Sequence, residues 1–141
     1  MTESEFRIKY SELVEYYQYI EMRLKFIYGA FLADNERGWL DRLDDIDSDP
    51  FGILLHKIKE IQVQRNVIVL SDEDFAVLDE IREKRNYWIH KCFGGNDPII
   101  FPHGQLKIPG YGAMLIKDLE TAITWDEKLV ELGKNPALRY R

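Results

Sequence analysis

Three side chains between residues 85 and 90 could do chemistry together: Arg85, Asn86 and His90, in the stretch EKRNYWIHKC. A guanidinium stays charged, and its fork fits the oxygens of a phosphate. An imidazole titrates near neutral pH, so it both takes and gives a proton. Together they meet the needs of RNA cleavage by internal attack, in which a ribose 2′-hydroxyl attacks its own phosphorus. That reaction asks for a proton carrier and for charge stabilisation of the crowded phosphate, and it needs no metal. Asn86, one turn before His90, could orient the imidazole or bind the phosphate or a ribose hydroxyl.

The helix carrying these residues has a well-marked start. Ser71 is an N-cap, Asp74 sits three residues later in a capping-box position, and Leu70 is placed to staple against Phe75. The helix is expected from 71 or 72 to Phe93, where Gly94-Gly95 stops it. At about 100° per residue, Leu78, Ile81, Trp88, Ile89 and Cys92 fall within about 60° of Arg85, while Asn86 and His90 lie about 100° and 140° round on one flank. Arg85 therefore occupies the middle of the apolar face. Burying an unpaired guanidinium is costly, so two accounts stand. In one, Arg85 pairs with a carboxylate from another helix, with Glu12, Glu15 and Glu21 as choices, and locks helix register. In the other, that face borders a cleft at a subunit interface, where Arg85 meets an anion.

The remaining chain supplies partners for this helix. Phe6, Tyr10, Leu13, Tyr17, Ile20, Leu24, Ile27 and Phe31 alternate spacings of four and three, which predicts a long amphipathic helix of about 40 Å. A short helical turn is expected around Trp39, Leu40 and Leu43, before an acidic loop. Asp49-Pro50 then offers an N-cap and a first-turn proline for a second core helix through Phe51, Leu54, Leu55, Ile58 and Ile61. The run VIVL at 67–70 is too short to separate connector from strand. Residues 95–111 read as a structured loop or short hairpin. A last helix is expected over about 112–132, with Leu115, Leu119, Ile123, Leu129 and Val130 inward and Gly133 as its cap. The sum is one all-α domain over 1–141: an antiparallel up-and-down bundle of four principal helices plus a short one.

Composition narrows the function classes. A chain of 141 residues with 45% hydrophobic content suits one soluble domain, and no apolar run is long enough to span a bilayer. The acidic, polar start MTESEFRIKY does not resemble a signal peptide, so a cytoplasmic location is expected. One cysteine and three scattered histidines make no zinc-ligand pattern, and no cofactor is expected. A net charge of −6 argues against a broad phosphate-binding surface, leaving room for a local basic cleft around Arg82, Lys84, Arg85 and Lys91.

Other features read more plainly. His56 is expected on the exposed side of its helix, and the glycines of GGNDP and PGYG as turns. His103, in the FPHG loop, is either a turn residue or a second proton carrier reaching the cleft. The acidic run DRLDDIDSD lacks the EF-hand spacing and reads as a solvated loop. Tyr17 belongs to the core stripe, whereas Tyr16 and Tyr19 suit a base-stacking platform or, better, an interface with a second subunit.

Arg85-Asn86-Tyr87-Trp88-Ile89-His90 resembles the R-x4-6-H motif of the HEPN superfamily, in the form with a polar residue directly after the arginine. The resemblance covers six residues; the histidine is followed by Lys91 and Cys92, not by the H-x-Y extension of some toxin branches. It implies an all-α bundle, a homodimer whose two motifs face a shared cleft, and a metal-independent endoribonuclease of toxin–antitoxin or phage-defence type. Its partners would be an RNA substrate and an antitoxin or regulatory protein. By position Arg85 and His90 match the catalytic pair and Asn86 the accessory residue. Other superfamily members only bind nucleotides or serve as interaction modules, which is the alternative here.

Overall fold

A computed structural model describes residues 1–32, 50–94, 99 and 110–138. They form four helices, α1 (Glu3–Leu32), α2 (Phe51–Arg65), α3 (Asp72–His90) and α4 (Gly110–Gly133), followed by one 3-10 turn at Pro136–Leu138. No described helix is long and apolar enough to cross a membrane. The expected short helix at Trp39–Leu43, the acidic run and His103 lie outside the described residues.

The 4-and-3 spacing of α1 works as a packing stripe. Phe6, Leu13, Tyr17, Ile20, Leu24, Ile27 and Phe31 are all buried, and Tyr10 is half-buried. α1 is the common wall of the bundle: it packs most extensively against α4 and also meets α2 and α3. In α4 the buried set is Leu115, Leu119, Ala122, Trp125 and Leu129, with Asp118 and Asp126 beside them. Ile123 and Val130, expected inward, are only half-buried, because Asp118, Ala122, Trp125 and Asp126 take the centre of the stripe.

Helix direction departs from simple up-and-down alternation. Along α1 and α4, Tyr17 faces Asp118, Arg23 pairs with Asp126 at 3.2 Å, and Ile27 lies beside Gly133, so residue numbers rise together and the two helices run in the same sense. α3 opposes them: Phe6 and Tyr10 meet Phe93 and Trp88, whereas Glu21 meets Arg85. It opposes α4 as well, with Trp88 against Asp118 and Asp74 against Lys128. It opposes α2 too, as Gly52 faces Arg82 and Lys59 faces Phe75. α2 thus shares the direction of α1 instead of reversing it. The stretch 33–49 that joins them lies outside the described residues.

The turn from α2 into α3 is built by one buried polar side chain. α2 ends at Asn66 in the left-handed region, φ 54° and ψ 41°, a conformation asparagine tolerates better than most residues. Gln62, 3% exposed, then serves the next segment: its Oε1 accepts from the N–H of Val69 at 3.0 Å and of Leu70 at 2.7 Å, and its Nε2 donates to the Leu70 carbonyl at 3.0 Å. VIVL is therefore a connector, bent at Val69 and Leu70, that buries Val67, Val69 and Leu70 without joining a strand.

α3 starts where its capping box predicts. The Ser71 hydroxyl accepts from the Asp74 N–H, and the Asp74 carboxylate accepts from the Ser71 N–H. Burial pushes the Asp74 carboxyl up, but the hydrogen bonds from Lys128 and Ser71 outweigh that and hold it below the usual value. The Lys128 contact, at 2.7 Å, also ties the first turn of α3 to α4. At the start of α2, Pro50 is the N-cap with an extended ψ of 152°, so Phe51 and not the proline is the first helical residue. Asp49 lies outside the described residues.

Gln62→Leu strands two buried N–H groups and one carbonyl at once. It should cost about 3 kcal/mol, read as a lower urea midpoint with an unchanged slope. A loss under about 1 kcal/mol would mean those groups find other partners.

Candidate functional site

The site residues take their positions from Trp88. This side chain is fully buried, and its indole N–H donates to Asp118 Oδ2 of α4 at 2.7 Å. Its carbonyl accepts from the Tyr10 hydroxyl at 2.8 Å and from the Cys92 thiol at 3.0 Å. Its ring lies against Phe6 and Tyr87. Trp88 is thus a core residue that holds the C-terminal half of α3 to α1 and α4. The surroundings affect its neighbours: burial, and then the negative charge of Asp118, push the Tyr17 hydroxyl far up. Burial first, and then Cys92, raise Tyr10, and burial raises the Cys92 thiol.

One turn before Trp88 on the same face sits Arg85, between buried Ile81 and buried Trp88 as its angular position predicts. Its side chain is 25% exposed and its Nη2 lies 3.6 Å from Glu21 Oε2. Glu21 is one of the three carboxylates considered for the structural account; Glu12 pairs with Lys9 and Glu15 accepts from the Tyr19 hydroxyl. The Arg85–Glu21 separation exceeds hydrogen-bond range. Among the described residues Arg85 has no hydrogen-bond partner, and Glu21 has a second cation, Lys25, at 4.0 Å. Arg85 and Glu21 therefore form a mostly buried ion pair without a hydrogen bond between them.

Beside that pair is a cleft of about 360 Å³ between α2 and α3. Arg82, Arg85 and Asn86 line it from α3, and Pro50 through Ile53 line it from the first turn of α2. Gly52 makes the close approach possible, because a β-carbon there would come within 3.2 Å of Arg82 Cδ. The first turn of α2 has no acidic residue and its N-cap offers no side-chain acceptor, so the positive end of the helix borders the same space as two guanidiniums. Among the described residues no carboxylate lines this cleft. The partners of Arg82, Asp79 at 2.8 Å and Glu83 at 3.9 Å, do not line it. Three other clefts of similar size each include a carboxylate in their lining: Glu80 and Asp118 in one, Glu60 in another, Glu120 in the third.

The sequence motif is only partly gathered within one chain. Arg85 and Asn86 share the cleft, but His90, the last residue of α3, is exposed and does not line it. Five residues turn the helix by about 140°, which points the two side chains apart. The expected basic cluster also divides. Arg82 and Arg85 stay together, Lys84 lines the separate cleft between α3 and α4, and Lys91 is an exposed C-cap. α3 stops at His90 instead of Phe93, and Lys91 through Gly94 continue as turns, with Cys92 buried.

Of the lesser candidates, His56 is exposed as expected and sits 3.1 Å from Glu60. Tyr16 and Tyr19 pack edge to face on each other, with centroids 5.6 Å apart. Among the described residues no three His, Cys, Asp or Glu side chains gather in a way that could hold a metal. The residues that sequence reasoning left out are Gly52 and Asp118. A glycine at the second position of a helix and an aspartate in an apolar stripe are each visible as irregularities, but their partners are not.

Compared with protein-family models, curated proteins and solved structures, the chain gives no match.

The absence of a hydrogen bond between Arg85 and Glu21 sets a stability expectation. Arg85→Ala should cost about 1 kcal/mol or less in urea unfolding, since the pair is partly solvated and Glu21 keeps Lys25. A loss of about 3 kcal/mol or more would instead mark a pair that fixes helix register.

Proposed function

We propose that this chain is a metal-independent endoribonuclease of HEPN type, acting in a toxin–antitoxin or phage-defence setting. The observation that carries this reading is that Arg85 and Asn86 open onto a cleft whose charged lining, among the described residues, is Arg82 and Arg85 alone, with the Arg85 guanidinium 3.6 Å from Glu21. Two guanidiniums beside the N-terminus of a helix make a local field that favours an anion, even in a chain with a net charge of −6.

The chemistry assigned to the residues is simple. His90 acts as the general base that takes the 2′-hydroxyl proton, or as the general acid that protonates the leaving oxygen. The 2′-oxygen attacks phosphorus, the bond to the 5′-oxygen breaks, and the products are a 2′,3′-cyclic phosphate and a 5′-hydroxyl. Arg85 offsets the charge that builds on the phosphate oxygens, and Asn86 donates to the phosphate or a ribose hydroxyl. Because His90 stands outside the Arg85 cleft of its own chain, this reading brings in a second copy, so that the site is composite and the active form a homodimer.

The ion pair with Glu21 favours a second reading, in which Arg85 serves the fold and the chain is a non-catalytic nucleotide-binding or protein-interaction module. RNA cleavage separates the two. With EDTA present, the wild-type protein should cut a mixed RNA and leave 2′,3′-cyclic phosphate ends. His90→Ala, folded by circular dichroism, should be slower by about 100-fold or more. Equal rates for the two proteins, or no cutting by the wild type, would remove the nuclease reading and leave the module.

A further inference from the structure

The cleft between α2 and α3 contains more than the motif requires. Arg82 is not part of the six-residue pattern, yet it lies three residues before Arg85 and lines the same space. Residues three apart on a helix are surface neighbours, so the two guanidiniums form one cationic wall. Each is about a quarter to a third exposed, with side-chain values of 30% for Arg82 and 25% for Arg85. Their described carboxylate partners, Asp79, Glu83 and Glu21, do not line the cleft. Among the described residues, the guanidinium edges within it have no acidic neighbour. Gly52 keeps the opposite wall low enough for the Arg82 stem to cross it. At about 360 Å³ the space is of the size that holds small ligands.

We propose that this cleft is a phosphate subsite for a single-stranded polynucleotide, in which Arg82 grips a backbone phosphate next to the one held by Arg85. The proposal deepens the nuclease reading and rests on it for the identity of the polyanion. Arg82 is here a binding residue that aligns the strand, with no part in proton transfer. Two adjacent arginines on a rigid helix hold two points of the backbone, which fixes the direction of the strand as one contact cannot. Neither contact reads a base, so the subsite contributes affinity and alignment without sequence preference.

The probe is a short fluorescein-labelled single-stranded RNA with 2′-O-methyl riboses, which cannot be cut by internal attack. Binding is followed by fluorescence anisotropy over a range of salt. Arg82→Ala should weaken binding about tenfold and reduce the slope of log affinity against log salt by about 0.7, the value for one single-strand phosphate contact. Ile53→Glu puts a carboxylate on the cleft at the third position of α2, where an acid suits the helix. It should weaken binding at least as much while Tm stays equal or rises, which separates blockage from unfolding. Lys134→Ala, the same charge change outside the cleft, should bind as the wild type does. Wild-type affinity and slope in both cleft variants would overturn the proposal, as would absence of binding by the wild type. Cleavage of unmodified RNA by the same proteins keeps the two ideas apart. Binding that depends on Arg82 without any cutting supports the subsite and removes the catalytic role of His90. Cutting with binding indifferent to Arg82 and Ile53 does the reverse.

Discussion

The hydrogen bond from the Trp88 indole to the Asp118 carboxylate is the interaction on which the arrangement of the site depends. Both groups are buried, at 0% and 8% exposure, and each would be costly to leave unsatisfied there. Since the Trp88 carbonyl also accepts from Tyr10 and Cys92, a single residue of α3 is tied to α1, to α4 and to the turn that follows it. Fixing Trp88 fixes the rotation of α3. Once that rotation is set, Arg85 must face the seam where α1 and α2 meet, and His90 must face outward. The site geometry is thus a consequence of core packing.

That geometry divides the motif between two surroundings. Arg85 has a low-exposure wall, a carboxylate at 3.6 Å and a cationic cleft, while His90 stands in solvent at the end of the helix. Within one chain His90 does not line the cleft that Arg85 lines, and the helix turns the two side chains about 140° apart. The proposed nuclease reading therefore takes the histidine at this cleft from a second copy of the chain. The same reasoning explains why an acidic protein can be read as a binder of RNA. Only the local field in the cleft matters at contact distance, and more remote charges are screened by salt.

Much of this was legible in the sequence, for identifiable reasons. The stripe from Phe6 to Phe31, the Ser71–Asp74 capping box and the placement of Arg85 on an apolar face all follow from local periodicity and capping chemistry, which tertiary context did not override here. Glu21 was one of three carboxylates within the reach allowed by helix geometry. Helix direction was not legible, because a hydrophobic stripe looks the same whether the helix runs up or down; the shared direction of α1, α2 and α4 appears only in pairings such as Arg23 with Asp126, Glu21 with Arg85 and Gly52 with Arg82. Gln62 was missed because nothing in its neighbours reveals that its amide will cap a turn eight residues on. Asp118 and Ala122 were missed because a small or charged residue in an apolar stripe carries no weight in periodicity until its partner is known. The separation of Arg85 from His90 was visible as an angle, but whether the helix would expose both edges depended on which neighbours packed where.

The central claim is that Arg85 of one copy and His90 of another act on one phosphate, and mixing two crippled proteins tests it most directly. Arg85→Ala and His90→Ala, each confirmed as folded and dimeric, are combined, allowed to exchange subunits and assayed for RNA cleavage. A composite site predicts that neither protein cuts alone and that the mixture recovers about a quarter of wild-type activity, since half of the dimers are mixed and each mixed dimer has one intact site of two. A mixture as inactive as its components, with mixed dimers shown to be present, would contradict it.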